Sequence, residues 1–313
     1  MVGAILLIAA FVLVLLPFGL QSFGRTEYKT PGFICMLVIG FVLFFVFAIW
    51  EKFYTHTRFI RYELFKDPTV LGACSLAATL FFSFYCWDHY FFNFCVVYYK
   101  LSVAMAGYMG QIYNTGSCFW SVVVGVVVRY TRRFKPMCLY CALPVVILGT
   151  GLMIYFCGGE GSPDIGYVVM CQIFVAFAGG TLVIGQDLAV MSSSDREGVP
   201  MMLSMLSLFS SLGSAIGFAA SAAVYTNVFP STLYKSLPEQ DLPDFETIYK
   251  GGYQQQVTYP VGTAVRTAVE HAWTTYMKYN CTVATAVLAL AIPSTIVWKD
   301  YYLDRKQNRG VVV

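Results

Sequence analysis

The chain has 313 residues, of which 58% are hydrophobic and only 12% charged, with a formal net charge of +3. Soluble domains carry about 25% charged residues, so composition excludes an ordinary water-soluble enzyme, and so small a net charge gives no footing for a nucleic-acid partner. The charges are absent from long apolar stretches and crowded into the gaps between them.

Taken in chain order, the stretches predict eight membrane spans at about 3–22, 31–50, 69–88, 104–128, 136–157, 165–191, 200–225 and 279–298. A helix rises about 1.5 Å per residue and needs roughly 20 apolar residues to cross a hydrocarbon core. In lipid only helices and closed barrels satisfy every backbone group. The expected fold class is therefore all-α integral membrane, with about eight transmembrane helices. Met1 runs into the first stretch with no basic segment before it, which reads as a first span, or as a chain whose true beginning is absent, rather than as a cleavable signal. The fourth span has a polar first half (Gly107, Gln111, Asn114, Thr115, Ser117) and a valine- and glycine-rich second half.

The placement of lysine and arginine sets the expected topology. With both ends cytoplasmic, thirteen of the twenty basic residues fall inside and seven outside, as the positive-inside rule favours. The organisation is then two spans over 1–50, a cytoplasmic loop over 51–68, and five spans over 69–225. A long extracytoplasmic loop over 226–278 precedes the last span at 279–298 and a cytoplasmic tail at 299–313. The long loop is rich in tyrosine and proline. Its end, Thr263–Lys278, places Val265, Ala268, Val269, Ala272 and Tyr276 at helical spacing, with Arg266 and Glu270 four apart on another face. That pattern predicts an amphipathic helix lying at the outer surface.

Small residues mark helix contacts. Ser207, Ser211, Ala215, Ala219 and Ala223 recur every fourth residue in the seventh span, with Gly213, Gly217 and Ser221 on a neighbouring stripe. Such stripes let helix backbones approach closely. The ten cysteines lie in or beside the spans, and Cys138-x-x-Cys141 has neither a second pair nor a nearby histidine. It reads as packing rather than a zinc site, which needs four ligands. No metal site, cofactor or enzymatic motif is expected. Asn280-Cys281-Thr282 matches a glycosylation sequon but abuts the last span, where use is not expected.

Two places could carry chemistry. Gln186 and Asp187 lie inside the sixth span, where a carboxylate is expensive and should face a cavity or partner; such a group can bind and release protons. At the exit of the third span, Trp87 and Tyr90 fit an aromatic belt, while Asp88 and His89 form a titratable pair. Tyr85, Tyr108, Gln111, Tyr113 and Asn114 would suit a bulky, oxygen-rich ligand.

These residues also carry a resemblance. Trp87–Phe91, Ala106–Tyr113, Gly116–Gly125 followed by Arg129–Lys135, Gly149–Tyr155, Val169–Phe174, Leu208–Gly217 and Tyr259–Ala268 resemble, in order, the fungal siderophore–iron transporters of the major facilitator superfamily. The resemblance runs from about residue 70 to the end. It implies a 14-span proton symporter importing ferric siderophores: six spans, two linking spans and six more. This chain would supply the linkers and the C-terminal six-helix bundle, so the N-terminal bundle becomes an expected partner alongside the ferric siderophore, protons and the lipid bilayer. It implies that the acid of Gln186–Asp187 is displaced by one residue, about 100° around a helix. Tyr259 and Arg266 become candidates for ligand capture in the outer loop. Arg129, Arg132, Arg133 and Lys135 match the positive cytoplasmic loop that can hold helix ends in one conformation and release them in another. The expected location is the plasma membrane or an endosomal vesicle. Rival readings are half of a 14-span drug–proton antiporter and a non-transporting truncated membrane protein.

Overall fold

A computed structural model describes residues 5–6, 8–10, 12–14, 16–17, 31–53, 67–157, 164–193 and 198–302. Part of the expected first span, residues 54–66 of the 51–68 loop, and the tail beyond 302 lie outside the described residues.

All regular elements among the described residues are helices. We number them α1 (Pro31–Phe53), α2 (Pro68–Asp88), α3 (Phe91–Val97), α4 (Val103–Thr131), α5 (Met137–Cys157), α6 (Ile165–Ser192), α7 (Val199–Ser236), α8 (Phe245–Lys250), α9 (Gly252–Thr258), α10 (Ala264–Leu288) and α11 (Ala291–Ile296). Residues described among 5–17 are also helical. Six segments are long and apolar enough to cross a membrane: Pro68–Val97, α4, α5, α6, α7 and Ala264–Ile296. They form one bundle whose helices alternate in direction, with α1 preceding it.

Local chemistry starts and stops these helices. The Asp67 side chain accepts the Thr69 N–H at 3.0 Å, with Pro68 opening α2. Ser102 caps α4 through the Met105 N–H, and Thr263 caps α10 through the Arg266 N–H. Each hydroxyl or carboxylate satisfies a donor that the first turn leaves unpaired. Arg132 ends α4 in the left-handed region at φ 57°, its N–H donating to Val128 O at 2.8 Å. α5 begins with a π-helical turn, Met137–Ala142.

The long loop expected at 226–278 is much shorter. α7 spans 38 residues, roughly 57 Å at about 1.5 Å per residue, so it continues well beyond a hydrocarbon core of about 30 Å. Its polar extension holds because Thr226 and Asn227 fold back onto their own helix carbonyls and because Phe229 and Leu233 are buried. The stretch Thr263–Lys278, expected on the outer surface, is the first half of the last spanning helix. Val265, Ala268, Val269, Ala272 and Tyr276 are all buried. The helical period is as expected; the apolar face lies against protein rather than a membrane surface. Between α7 and α10, residues 237–263 fold as a compact cap of a 3-10 turn (Glu239–Asp244), α8 and α9.

The glycine stripe of α7 faces α2. A Cβ at Gly213 would strike the carbonyl of Ala78, and one at Gly217 would lie 2.6 Å from the carbonyl of Phe82. The parallel stripe is peripheral: Ser207 and Ser211 are exposed and bond their own helix. Gly180 of α6 similarly meets the Ser117 carbonyl of α4.

The bundle has two distinct ends. At the 132–136 end, Lys135 donates to the carbonyls of Ile296 (2.9 Å) and Trp298. There Arg133 pairs with Asp300 at 3.6 Å, and the Lys299 N–H donates to the Thr69 hydroxyl at 3.1 Å. The Lys299 ammonium reaches Asp67 at 3.3 Å. Trp298 is buried there, against Gly72 and Phe134. The other end carries the cap.

Partial burial alone would raise the Asp67 carboxyl, but the Thr69 N–H and the Lys299 ammonium hold it below the usual carboxylate range. Its contribution is present above the ordinary carboxylate value and is lost as pH falls through the lowered folded one. Asp67→Ala should therefore cost about 1 kcal/mol of stability at neutral pH. The gap between variant and parent should close in acid below that folded value; thermal midpoints of the detergent-purified protein across pH check both.

Candidate functional site

The end of α2 and the start of α3 place Phe84, Trp87 and Phe91 inward and Tyr85, Asp88 and His89 toward a more open side. Trp87 is buried, edge-on to Phe84 at 5.4 Å and Phe91 at 5.5 Å. The expectation that Trp87 belongs to a membrane-interface belt is thus corrected: its ring is core.

The open side gathers rings from three helices. Tyr113 of α4 stacks on Phe84 at 4.0 Å. Tyr85 lies 4.6 Å from Phe218 of α7, and His89 meets the same ring edge-on at 4.8 Å. Tyr90 stacks on Tyr225 at 4.6 Å. Tyr113 lies within electrostatic range of Tyr85 and Asp88, and its hydroxyl presses on Gly179 of α6. Aromatic contacts of this geometry add about 0.5–1.5 kcal/mol each beyond burial. Asp88 has no hydrogen-bond or ion-pair partner among the described residues. A carboxylate set against lipid is costly, so this face borders water or another part of the protein. Over it lies the cap: Tyr249 of α8 stacks with Tyr225 at 5.9 Å, and burial, then the neighbouring Tyr90, keep its phenol above the ordinary range and neutral.

Of the expected pathway residues, the fold brings together Tyr85, Asp88 and Tyr113. Tyr108, Gln111 and Asn114 lie on an exposed side of α4, with the Asn114 amide donating to Gln111 at 3.3 Å. Gln186 and Asp187 are remote from all of these. α6 runs towards the 132–136 end, where neighbouring Gly185 abuts Cys138 and Trp298. Gln186 is buried with its carbonyl oxygen unpartnered, and Asp187 is half-buried. Phe218 and Tyr225 escaped the sequence reading. The available signal was two large rings seven residues apart, hence on one face, separated by the small residues 219–223.

Arg266 has a different job from the ligand capture expected of it. Its side chain is only 3% exposed. The guanidinium donates to Glu270 at 3.2 Å, to the Gln256 carbonyl at 2.7 Å and to the Val97 carbonyl. Gln256, itself buried, accepts from the Trp273 indole at 2.8 Å and donates to the Ile248 carbonyl at 3.3 Å. One buried cation thus ties α3, α9 and α10 together, and Gln256 extends the network to α8. Tyr259 is half-buried against the same core. The basic residues of the other end divide: Arg133 and Lys135 make the contacts given above, Arg132 and Arg133 lie over the Tyr302 ring at 5.9 Å, and Arg129 is exposed. Cys138 is buried and Cys141 exposed, so the pair does not converge, and Asn280 of the sequon is fully buried. No group of three or more potential ligands able to hold a metal occurs among the described residues.

An all-helical bundle with six segments long and apolar enough to cross a membrane, a polar-aromatic face at one end and basic clasps at the other defines a polytopic helical membrane protein. A bacterial homologue of the human lysosomal transporter Spinster, in an inward-facing and unoccupied conformation, matches it with a TM-score of 0.56 at 14% identity, over 93% of this chain and 68% of that one. No family model matches. Curated relatives match throughout the chain. Siderochrome iron transporter 2 of Aspergillus fumigatus is 58% identical over 312 residues. MFS siderochrome iron transporter 1 of Ajellomyces capsulatus is 43% identical over 313, and siderophore iron transporter 1 of Schizosaccharomyces pombe 30% over 316. The chain belongs to this fungal siderophore–iron transporter family of the major facilitator superfamily. It spans about half the length of these relatives, 51% of the Aspergillus protein, consistent with their C-terminal part.

Arg266→Ala would strand two buried carbonyls and leave Glu270 with only the exposed Lys100 at 4.0 Å. Breaking a buried pair costs about 3–5 kcal/mol, so the thermal midpoint should fall sharply and trypsin should cut at the exposed Lys250. Arg266→Lys, with a point charge in place of a planar fork, should recover only part of the loss.

Proposed function

We propose that the chain forms the C-terminal part of a proton-coupled importer of ferric siderophores that works by alternating access. The observation that carries this reading is whole-length identity to proteins named siderochrome iron transporters, 58% in one case. The geometry supports it with a ring-lined face around Tyr85, Asp88 and Tyr113, fitted to a bulky, oxygen-rich ligand. The iron travels inside its organic chelator, so the protein needs no iron ligands of its own.

In this reading a second bundle, from the part of the relatives that this chain does not span, covers the open face of α2, α4 and α7. The two bundles rock about the site between them. Both ends of the chain are cytoplasmic, and the 237–263 cap faces outside or a vesicle lumen. Asp88 near the cap and Asp187 near the 132–136 end then mark opposite ends of a proton route, with Gln186 beside it. Each charge crossing is worth about 2.3 kcal/mol per 100 mV, which gives import its direction. The Arg133, Lys135 and Lys299 contacts close the cytoplasmic end and separate when it opens. Tyr108, Gln111 and Asn114 offer amides and a phenol from α4, and Tyr259 a phenol from the cap.

Uptake of radio-iron-loaded siderophore by a yeast lacking its own carriers, expressing the protein from its complete gene, tests this. Uptake should depend on the proton gradient. Asp88→Asn and Asp187→Asn should each lower it and flatten its pH profile at unchanged surface level, while Gln186→Leu serves as the control. Export of cationic dyes instead of siderophore uptake would favour an antiporter, and no transport of either would sink the reading. For topology, a thiol probe applied outside should label Glu239→Cys and spare Asp300→Cys; the reverse pattern would invert the assignment.

A further inference from the structure

The ring cluster beneath the cap has an internal support that the transport reading does not use. Tyr276 of α10 is fully buried, and its hydroxyl lies 2.7 Å from that of Ser221 on α7. The Asn280 amide, one turn further along α10, donates to the same Ser221 oxygen at 3.2 Å, and the Cys86 thiol donates to the Asn280 carbonyl at 3.7 Å. This polar knot joins α2, α7 and α10 inside an apolar core. The Tyr276 ring stands edge-on to both rings of the stacked pair, at 5.8 Å from Tyr90 (84°) and 5.7 Å from Tyr225 (89°). Trp273 closes the back, 5.7 Å from Tyr225.

A tyrosine held at its hydroxyl cannot swing its ring away, because displacement would break a buried hydrogen bond and leave both partners unsatisfied. The position of Tyr276 is therefore set by Ser221, and Tyr276 in turn backs Tyr90 and Tyr225 from behind. On the other side Tyr90 touches His89 at 4.3 Å, and His89 touches the exposed Phe218. The result is a run of rings contributed by α2 and α7. It lies along the face that bears Asp88, whose carboxylate argues against lipid there.

We propose that Phe218, His89 and Tyr90, backed by Tyr225, form a stacking wall for a flat-faced, oxygen-rich chelate, and that Ser221, Tyr276 and Asn280 are positioning residues that hold that wall in place. The proposal rests on the transport reading and adds the contact surface and its support. Tyr276 touches no ligand; it acts through Tyr90 and Tyr225. A positioning role predicts a change in affinity more than in turnover, since the rings remain present but no longer held.

The test measures binding of a ferric siderophore to the purified full-length protein by tryptophan-fluorescence quenching, and uptake kinetics in cells. Phe218→Ala, at an exposed ring, and Tyr276→Phe, which keeps the ring and removes the hydroxyl, should each weaken binding and raise the half-saturation concentration by about threefold to tenfold. The maximal rate per transporter should stay near that of the parent. Tyr225→Phe should match the parent and Tyr225→Ala should not. Phe218→Ala probes the wall without touching the core, so the outcome stands even where Tyr276→Phe lowers yield. If the parent binds and imports the chelate while both Phe218→Ala and Tyr276→Phe keep its half-saturation, the wall is refuted and the transport reading survives. If Phe218→Ala weakens binding but folded Tyr276→Phe keeps the parent's values, the wall stands and the positioning role falls. A parent that neither binds nor imports the chelate overturns both.

Discussion

The contact on which the other features depend is the backbone-to-backbone seam between α2 and α7. Inside a bilayer the lipid is as apolar as the side chains, so the hydrophobic effect does not press helices together and close van der Waals contact must do so. Gly213 and Gly217 allow it, since a Cβ at either would run into a carbonyl of α2. Phe218 sits next to Gly217 and Tyr225 two turns on, so the approach that the glycines permit brings these rings to Tyr85, His89 and Tyr90. A wider seam would leave the rings of α2 and α7 facing one another across a gap.

The two ends of the bundle are closed by different chemistry. At the cap end a buried guanidinium spends all of its contacts inside the protein, on a carboxylate and two carbonyls. Removing such a group leaves stranded polar partners, which makes this end costly to open. At the 132–136 end the clasps are exposed, with Arg133 and Asp300 at 57% and 43% side-chain exposure. Exposed ion pairs contribute about 0–1 kcal/mol each. A few such contacts hold a conformation and yield to a modest driving force. The asymmetry is what the proposed alternating access asks for: a cap that stays folded and an opposite end held by weak contacts.

Buried polar groups elsewhere follow the same economy of position. Ser221, Tyr276 and the Asn280 amide bond one another between α7 and α10, whereas Ser204, Ser207, Ser210, Ser211 and Ser214 of α7 bond to their own helix carbonyls. A hydroxyl that bonds its own helix carries no information about its neighbours; one that bonds across helices fixes their register.

The sequence by itself determined the class of fold and the lengths of most spans, because the solvent dictates them: charge-free runs of bilayer length permit little else. It also determined the helical period of 263–278 and the glycine stripe of α7, since both follow from the 3.6-residue repeat. Only the tertiary structure decided where those faces go. Periodicity gives a buried face but not what covers it, so Thr263–Lys278 read as a surface helix when its apolar side is filled by the bundle. Arg266 likewise read as an outward donor because charge predicts exposure, until two carbonyls and Glu270 provide the partners that make burial tolerable. The spacing of Phe218 and Tyr225 put both rings on one face of α7 but not their partners, which exist only once α2 and α7 touch. Asp88 and Asp187 look alike in sequence, as lone acids in apolar runs; the alternation of helix direction sends one to each end of the bundle.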